Sequence, residues 1–526
     1  MSYPRTIQPL VIEDETASKE LFEARFTSLK QRHSLVEPHY AFCYSDGKRL
    51  IQDQRIYHLV TIDLRLPENP GQPPAESIDF GQALIRECAN RNSYPIPAVL
   101  VITAHLDQTS QQELSELVQR SFAYGRVLVK SDHIEVEIEK ALLFVERYCD
   151  VGIHLRDGGT KLFPTLTPRE EDLLRQVVLA DESRIGVDLE WWGAAHTPYG
   201  GWTKTLMGRF LLSEGRGHSL YSFFKLATDD QASKVFSEAE VMSQKLRHVK
   251  VVASRIAGDR SLLVTQSVGS GTTAPTSLGQ ILGLPTAEVS QHAQRLATEI
   301  VEQVAAIGDR TPNQKDRKGL LWRHHDRNRI ESQWLQRDGA TVLKDFSSHV
   351  VNPIEIFDAL SRDGGVVRYD VQSALHGDLN FSNVAIDHES GQPRAYIFDA
   401  SGCDAGVSVR DIAMLEVATL LHQESSEDFV PVFIALYGER DESTHADAMT
   451  ARQSNTLFFI QKLREAAVRY TTLEIYALMV VDHALIQLGG LAFGSAFNKI
   501  ANPRDACVVA AMAACWYRRI QEAVHA

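Results

Sequence analysis

The feature that most constrains the fold is an alternation of short apolar runs with helical stretches over residues 1–150. The apolar runs are Pro9–Ile12, His58–Ile62, Ala98–Thr103 and Arg126–Val129. The helical stretches around them include Thr16–Gln31, Asp79–Asn92, Ser110–Tyr124 and Ile134–Arg147. Continuous apolar strands that alternate with helices are typical of a parallel sheet covered on both faces. The sequence therefore predicts a doubly wound α/β domain over residues 1–150, and the proline-rich run PENPGQPP within it reads as a loop.

Charged and hydroxyl side chains stand where these strands end. Glu13 and Asp14 follow the first strand, Asp63 follows the second, Thr103 ends the third and Lys130 follows the fourth. Open parallel sheets bind ligands at the carboxyl ends of their strands. Three carboxylates can bind Mg²⁺, and one of them can attack a phosphoryl group as a nucleophile. A lone aspartate at a strand end is more often a cap, but such residues at four strand ends in order favour a phosphate site.

This set resembles the receiver domain of response regulators over residues 7–147. The sequences VIEDE, LVTIDLRLP, VLVITAH and VLVKSD stand where that family carries its acid pair, phosphoacceptor, hydroxyl residue and lysine. The resemblance implies that Asp63 is the phosphoacceptor and that Glu13 and Asp14 bind Mg²⁺ together with it. It implies that Thr103 and Lys130 form the switch that responds to the phosphate. A histidine kinase is the phosphodonor that such a domain would use.

Two departures from the receiver family bear on switching. Ser131 stands where that family usually has proline, and the stretches 32–57 and 66–79 are longer than usual. The alternative to a phosphorylated receiver is a pseudo-receiver that serves as a docking module.

The most specific motif of the chain is HGDLNFSN at residues 376–383, followed by YIFD at residues 396–399. Phosphoryl transfer needs a carboxylate near the acceptor hydroxyl and oxygen ligands for the Mg²⁺ that bridges the nucleotide phosphates. Asp378 can supply the first group. Asn383 and Asp399 can supply the second.

These motifs resemble the aminoglycoside phosphotransferase and choline kinase group of the protein-kinase-like fold, which has HGD where protein kinases have HRD. The sequence RDIA at residues 410–413 resembles the structural aspartate motif of that group. For Asp411 and His376 we expect a structural role in anchoring the loop. The resemblance covers residues 185–525 and implies an ATP- and Mg²⁺-dependent enzyme.

The whole chain is thus expected to be multidomain, with an α/β receiver-like domain followed by an α+β bilobal kinase-like domain. A helical connector is predicted at residues 151–184, a small lobe at 185–270 and a mainly helical C-lobe at 271–526. Residues 308–340 are charged and irregular, with QKDRK and RHHDRNR, and read as a solvated insertion rather than a binding face. The whole insertion in the C-lobe is predicted at about residues 308–370.

A lysine in the small lobe is a candidate for binding the ATP phosphates. Lys225 lies in the apolar strand SLYSFFKLA, where it is either an edge residue or the phosphate-binding lysine. Glu238 follows on a predicted helix and can pair with Lys225, with Glu240 as the competing partner.

Three further positions in the small lobe are candidate nucleotide contacts. Gly200 and Gly201 can form a turn over the phosphates, since glycine permits close backbone approach, although a plain hairpin accounts for them equally well. Gln266 lies in VTQS, the predicted hinge strand that would meet adenine through its backbone.

The composition of the chain disfavours several classes of function. Lys and Arg number 54 against 68 Asp and Glu, which gives a net charge of −14 and disfavours nucleic-acid binding. The six cysteines are scattered without zinc-type spacing, as expected in a reducing compartment. The sequence begins without a signal-peptide pattern, and apolar runs of membrane-spanning length are absent from it. We therefore expect a cytoplasmic protein without a membrane segment.

Three functions remain. The leading hypothesis is a receiver-regulated phosphotransferase that acts on an unknown hydroxyl acceptor in signalling, on a small molecule or a protein. The alternative is a non-catalytic adaptor in which a pseudo-receiver and a pseudokinase bind protein partners. A transcription regulator is disfavoured, because the basic segment KDRKGLLWRHHDRNR lacks an evident helix-turn-helix. A homodimer is a further expectation, since receiver domains often pair.

Overall fold

The computed structural model describes most of the chain. The described residues are 6–53, 55–75, 77–91, 94–104, 108–130, 134–155, 166–180, 184–191, 199–200, 205–214, 219–228, 246, 251–257, 260–266, 275–321, 325–346, 350–362, 365–388, 392–398, 400, 405–421, 428–438, 449–493, 500 and 502–525. At some positions inside helices and strands, among them Lys225 and Gln266, only the backbone is described.

The N-terminal domain is a five-stranded parallel sheet with helices on both faces. Its strands lie in the order β2-β1-β3-β4-β5. The strands are β1 Pro9–Ile12, β2 His39–Ala41, β3 Leu59–Ile62, β4 Ala98–Thr103 and β5 Tyr124–Val129. The helices are α1 Thr16–Leu29, α2 Tyr44–Gln52, α3 Asp79–Ala89, α4 Gln108–Ser121 and α5 Ile134–Asp150. The predicted doubly wound domain is therefore present, and the long stretch 32–57 holds β2 and α2.

Alternate residues of the strands bury against the two helical layers. Leu10, Val60 and Val99 belong to the core beneath α2, α3 and α4. Val11 and Leu100 belong to the core beneath α1 and α5. Because successive side chains of a strand point to opposite faces, a strand buried on both faces must be apolar throughout. This requirement produced the continuous apolar runs in the sequence.

A second sheet of seven strands follows. Its order is β11-β12-β10-β9-β7-β6, with β8 paired to β9. The elements are β6 Gly152–Leu155, α6 Pro168–Leu179, β7 Arg184–Trp191, β8 Tyr199–Gly200, β9 Thr205–Glu214, β10 Ser219–Thr228, β11 Val251–Ala257 and β12 Arg260–Gln266. Helix α6 begins as its sequence predicts: Pro168 opens the first turn, and Thr167 forms a capping box with Glu170.

The structure differs from a purely helical connector at residues 151–184. β6 pairs in parallel with β7, from Gly152 opposite Gly186 to Leu155 opposite Leu189. The connector region thus supplies an edge strand as well as helix α6. A four-residue strand with glycine and histidine carries little periodicity of its own, and its pairing with β7 is what makes it a strand.

A buried polar clamp joins α5 to α6. The Tyr148 hydroxyl donates to Asp172 Oδ1 at 2.7 Å. Arg175 Nη1 donates to the carbonyl oxygens of Tyr148 at 2.8 Å and Val151 at 2.9 Å. Arg175 is only 3 % exposed, so its guanidinium satisfies carbonyls at the end of α5 that would otherwise be buried without partners.

The remainder of the chain is mainly helical, as predicted. Its helices are α7 Leu278–Leu282, α8 Thr286–Ala306, α9 Arg327–Gln336, α10 Gly339–Asp345, α11 Pro353–Arg362, α12 Arg410–Leu421, α13 Val430–Tyr437, α14 Ala451–Ala467, α15 Leu473–Gly490 and α16 Pro503–His525. Its strands are β13 Thr276–Ser277, β14 Arg310–Asp316, β15 Val366–Gln372, β16 Val384–Asp387, β17 Arg394–Ile397 and β18 Gly406–Val407. They form two small sheets, β13-β16-β17 and β14-β15-β18.

The charged segment 308–370 is more regular than its sequence indicates. β14 pairs antiparallel with β15 along its whole length, from Arg310 opposite Gln372 to Asp316 opposite Val366. Helices α9, α10 and α11 lie between the two strands in the chain. Most residues of β14 are exposed and polar, so the strand has no apolar alternation by which to be recognised.

The chain divides into two compact units. The first contains residues 1–191, 205–236 and 252–264, and the second contains residues 192–204, 237–251 and 265–526.

Within the described chain, one helix, α15, is long and apolar enough to cross a membrane by length and composition, with a mean hydropathy of 1.2. Since 72 % of it is buried inside the protein, it also fits a core helix.

Candidate functional site

Three carboxylates meet at the carboxyl edge of the N-terminal sheet. Glu13, Asp14 and Asp63 each offer an oxygen within 4.8 Å of the others. Glu13 and Asp63 are buried and Asp14 is partly buried. They meet because β1 and β3 are parallel neighbours in register, so the residues just after Ile12 and Ile62 lie side by side. We call Glu13, Asp14, Asp63 and Lys130 the acidic pocket.

Lys130 is the cation of the acidic pocket. Its Nζ donates to Asp63 Oδ2 at 2.8 Å and to Glu13 Oε1 at 3.2 Å. Burial lowers the pKa of this ammonium, but its hydrogen bonds and charge interactions with Asp63 and Glu13 have the larger effect and raise the pKa above its usual value. Lys130 therefore stays charged beside the carboxylates.

Three carboxyl groups share one ammonium, that of Lys130, in the acidic pocket. Burial, followed by the charge of Asp63, raises the pKa of Glu13 to about 8. The same two causes raise the pKa of Asp14. The raised pKa values mean that these carboxyl groups resist ionising together without a further positive charge, and three clustered oxygen donors of this kind fit a hard divalent cation such as Mg²⁺.

Thr103 lies at the same edge. It ends β4, is 1 % exposed, and its carbonyl oxygen accepts a hydrogen bond from the Lys130 backbone at 2.7 Å. Asp63 Oδ1 accepts from the backbone N–H of Arg65 at 3.2 Å. The structure thus brings all five predicted receiver residues to one edge of the sheet.

The HGD motif of the second unit forms a loop that a buried carboxylate holds. Asp411 Oδ2 accepts from the backbone N–H of His376 at 2.6 Å, and Oδ1 accepts from that of Gly377 at 3.0 Å. The His376 ring bonds the carbonyl of Phe398 at 2.8 Å through Nε2. Burial raises the pKa of Asp411, and the charge of His376 and these N–H donors oppose the rise. Both residues therefore anchor the loop, as predicted from the sequence.

The same loop presents Asp378 to solvent and buries Asn383. Asn383 is 3 % exposed, and its Nδ2 donates to the carbonyl of Asp378 at 2.7 Å. Because the amide nitrogen holds the loop, the side-chain oxygen of Asn383 is the atom suited to bind a cation. Asp399, the third predicted residue of this set, lies outside the described residues.

The predicted nucleotide contacts of the small lobe are described only in part. Lys225 lies on β10 opposite Met207 of β9, and β12 borders β10 on its other side. The strand is internal, so the interpretation of Lys225 as an edge residue is wrong. Gly200 ends β8 and Gln266 ends β12. Gly201 and Glu238 lie outside the described residues.

Sequence reasoning missed two buried carboxylates of the second unit. Glu416 and Asp482 are both 0 % exposed. Each interrupts an apolar helical run, AMLEVATLL and VVDHAL. A charge inside such a run must be paired when buried, and that signal was available in the sequence.

No protein-family model and no curated protein matches the chain. Solved structures of both predicted families match it. A CheY-like receiver domain from Methylobacillus flagellatus is 18 % identical, covers 27 % of this chain and 98 % of its own, and has a TM-score of 0.20. Choline kinase from Cryptosporidium parvum is 10 % identical, covers 64 % of this chain and 90 % of its own, and has a TM-score of 0.31. An aminoglycoside phosphotransferase from Streptomyces rimosus is 12 % identical, covers 52 % of this chain and 92 % of its own, and has a TM-score of 0.25. The chain is thus similar to a receiver domain at its N-terminus and to phosphotransferases over most of the rest.

Proposed function

We propose that this chain is an ATP- and Mg²⁺-dependent phosphotransferase controlled by phosphorylation of Asp63. Phosphorylation of Asp63 is supported by the acidic pocket, where Lys130 Nζ lies 2.8 Å from Asp63 Oδ2 among carboxylates within 4.8 Å of one another. Phosphoryl transfer is supported by the HGD loop, where Asn383 Nδ2 donates to the carbonyl of Asp378 at 2.7 Å. A capping role for Asp63 would not require two further acids and a partly buried lysine at the same sheet edge.

In the acidic pocket a carboxylate oxygen of Asp63 is the nucleophile. It forms a bond to phosphorus as the bond between phosphorus and the donor's leaving group breaks, which yields an acyl phosphate. Lys130 and the Thr103 hydroxyl are the groups suited to bind the phosphoryl oxygens. Glu13, Asp14 and Asp63 would hold Mg²⁺, which when bound offsets the negative charge of the phosphoryl group.

In the second unit, Asp378 orients the acceptor hydroxyl and accepts its proton as the acceptor oxygen bonds to the γ-phosphorus of ATP. The bond from that phosphorus to ADP breaks in the same displacement. Asn383 and Asp399 would hold the nucleotide-associated Mg²⁺. We propose a bilobal arrangement in which Lys225, paired with Glu238, binds the phosphates and in which Gly200, Gly201 and Gln266 contact the nucleotide.

The first experiment tests Asp63. Wild type, Asp63→Asn and the control Asp46→Asn are incubated with Mg²⁺ and radiolabelled acetyl phosphate. We expect label on wild type and on the control, whose carboxylate is on α2 outside the acidic pocket, and none on Asp63→Asn. Labelling that survives Asp63→Asn would rule out this phosphoacceptor.

The second experiment tests phosphoryl transfer. ATP binding and slow ATP hydrolysis are measured with Mg²⁺ for wild type, Asp378→Asn, Asp399→Asn and the control Asp345→Asn, an exposed carboxylate paired with Arg504. Turnover should be lost in the first two variants and kept in the control. A wild type that does not bind ATP would contradict the enzyme proposal and favour the adaptor.

The biological setting proposed here follows from these assignments. A histidine kinase would supply the phosphoryl group to Asp63, and the acceptor at Asp378 is a hydroxyl of an unidentified small molecule or protein. We propose a cytoplasmic protein that can pair as a homodimer, without a nucleic-acid partner.

A further inference from the structure

One buried carboxylate joins two parts of the second unit that lie far apart in the chain. Asp482, in the middle of α15, accepts from His325 Nε2 on Oδ1 at 2.7 Å. Its Oδ2 accepts from Arg410 Nη2 at 2.7 Å. These donors and the charge of Arg410 outweigh burial and lower the pKa of Asp482 to about 2. The carboxylate is therefore charged and bridges the two donors at neutral pH.

Arg410 connects this carboxylate to the HGD loop. It opens α12, and the next residue, Asp411, accepts the backbone N–H groups of His376 and Gly377. Asp378 follows directly in that loop. Asp482 thus fixes the helix start that in turn fixes the residue proposed to orient the acceptor hydroxyl.

His325 connects the same carboxylate to the charged segment between β14 and β15. Its side chain is 4 % exposed, and its ring packs edge-on to Phe357 of α11 with centroids 5.5 Å apart. Asp326, the next residue, caps α9 by accepting from the backbone N–H of Arg329 at 3.2 Å. The imidazole of His325 therefore links α9 and α11 to Asp482.

We propose that His325 and Asp482 are positioning residues that couple the α9–α11 segment to the HGD loop. The coupling passes through contacts at hydrogen-bond distance, from His325 to Asp482, to Arg410 and to the adjoining Asp411. The catalytic consequence rests on the proposed function, while the coupling itself does not. Displacement of α9 and α11 should alter the order of the loop that carries Asp378.

The test compares full-length wild type with His325→Leu, His325→Gln and a matched control, His388→Leu, whose exposed imidazole bonds Thr276. The first readout is hydrogen–deuterium exchange of residues 373–383, because it requires no turnover. In His325→Leu we expect loop exchange faster by about fivefold or more. His325→Gln keeps a side-chain N–H donor and should retain most of the protection, and the control should match wild type.

The second readout is turnover. If wild type hydrolyses ATP, His325→Leu should lower kcat in parallel with the faster hydrogen–deuterium exchange of the loop. The KM for ATP should stay unchanged, since His325 acts on the loop that carries Asp378. A wild type without turnover would refute the proposed function, and the exchange data would still decide the coupling. Unchanged loop exchange in folded His325→Leu overturns the coupling. If His325→Leu does not fold, Arg410→Gln gives the same decision, because it breaks the bond from Asp482 to α12.

Discussion

The carboxylate of Glu416, which lies on α12 and is 0 % exposed, is the centre of a hydrogen-bond network in the second unit. It accepts from Tyr437 at 2.7 Å and Tyr476 at 2.8 Å through their hydroxyls. Arg464 donates to it twice, through Nε at 3.0 Å and Nη2 at 2.7 Å. The Trp516 ring lies 4.2 Å from that guanidinium. Each carboxylate oxygen of Glu416 therefore accepts two hydrogen bonds, and all four come from Tyr437, Tyr476 and Arg464.

We predict that Glu416→Gln lowers the free energy of unfolding of the second unit by about 3–5 kcal/mol. The amide has the shape of the carboxylate but carries no charge, so Arg464, whose side chain is 14 % exposed, is left largely buried without its counter-ion. One oxygen becomes an N–H₂ group, which places a donor against a donor. Each hydrogen bond to a charged group contributes about 1.5–3 kcal/mol net, so the two from Arg464 together give about 3–6 kcal/mol, which overlaps that range.

Two further variants separate charge from shape. Glu465→Gln is the matched control on α14, because Glu465 is 56 % exposed and pairs with Lys462. It should change stability by less than about 0.5 kcal/mol. Adding Arg464→Met to Glu416→Gln removes the uncompensated cation and should recover a large part of the loss.

The assay is urea unfolding of the full chain, with tryptophan fluorescence as the signal, since Trp516 contacts the Arg464 guanidinium. The free energy is taken from the shift of the transition midpoint at an unchanged slope. A Glu416→Gln protein within about 0.5 kcal/mol of wild type at pH 7 would refute the reasoning. So would a double variant that is less stable than Glu416→Gln.

Three other predictions follow from single residues. Burial, followed by the charge of Asp428, raises the pKa of Asp505 from 3.8 to about 6, so the charged form is disfavoured in the folded protein. The stability of wild type is therefore lost as pH rises from about 4 to 6. In urea unfolding, Asp505→Asn should be more stable than wild type by about 1–3 kcal/mol at pH 8 and equally stable at pH 3.5. Arg175→Met leaves two buried carbonyls unsatisfied and should cost about 2–4 kcal/mol in the first unit, and an unchanged midpoint would contradict the clamp. Gly377 has a φ of 81°, so Gly377→Ala should cost about 1–2 kcal/mol and lower ATP turnover, which a kinetic assay with a parallel melting curve would detect.

The acidic pocket could be predicted because each of its residues is marked locally. A buried parallel strand is an apolar run, and its last residue is followed by the side chain that the sheet edge presents. Once Asp63 and Lys130 are assigned to strand ends, the parallel topology alone brings them together. Their contact at 2.8 Å follows from that assignment. The motif HGDLNFSN is also a local signal, since the side chain of Asn383 bonds the carbonyl of Asp378, five residues earlier in the chain.

The buried networks could not be predicted in the same way, because their members are distant in the chain. Asp482 and His325 are separated by 157 positions. A charge within an apolar helical run indicates that a partner must exist, but it carries no information about which residue supplies it. Strand β14 was missed for the opposite reason: its exposed charged residues hide the regular pairing that its backbone makes with β15.

The junction between the receiver-like domain and the second sheet has a mechanical consequence. Val151 alone separates α5 from β6, and its carbonyl is bonded to Arg175 of α6. The same guanidinium bonds the carbonyl of Tyr148, whose hydroxyl is bonded to Asp172. A flexible linker would absorb a displacement of α5. α5 and β6 have no such linker, because one residue separates them and a buried arginine is bonded to Tyr148 and Val151. We therefore expect a displacement of α5 either to break those bonds or to move β6, an edge strand of the sheet that contains Lys225.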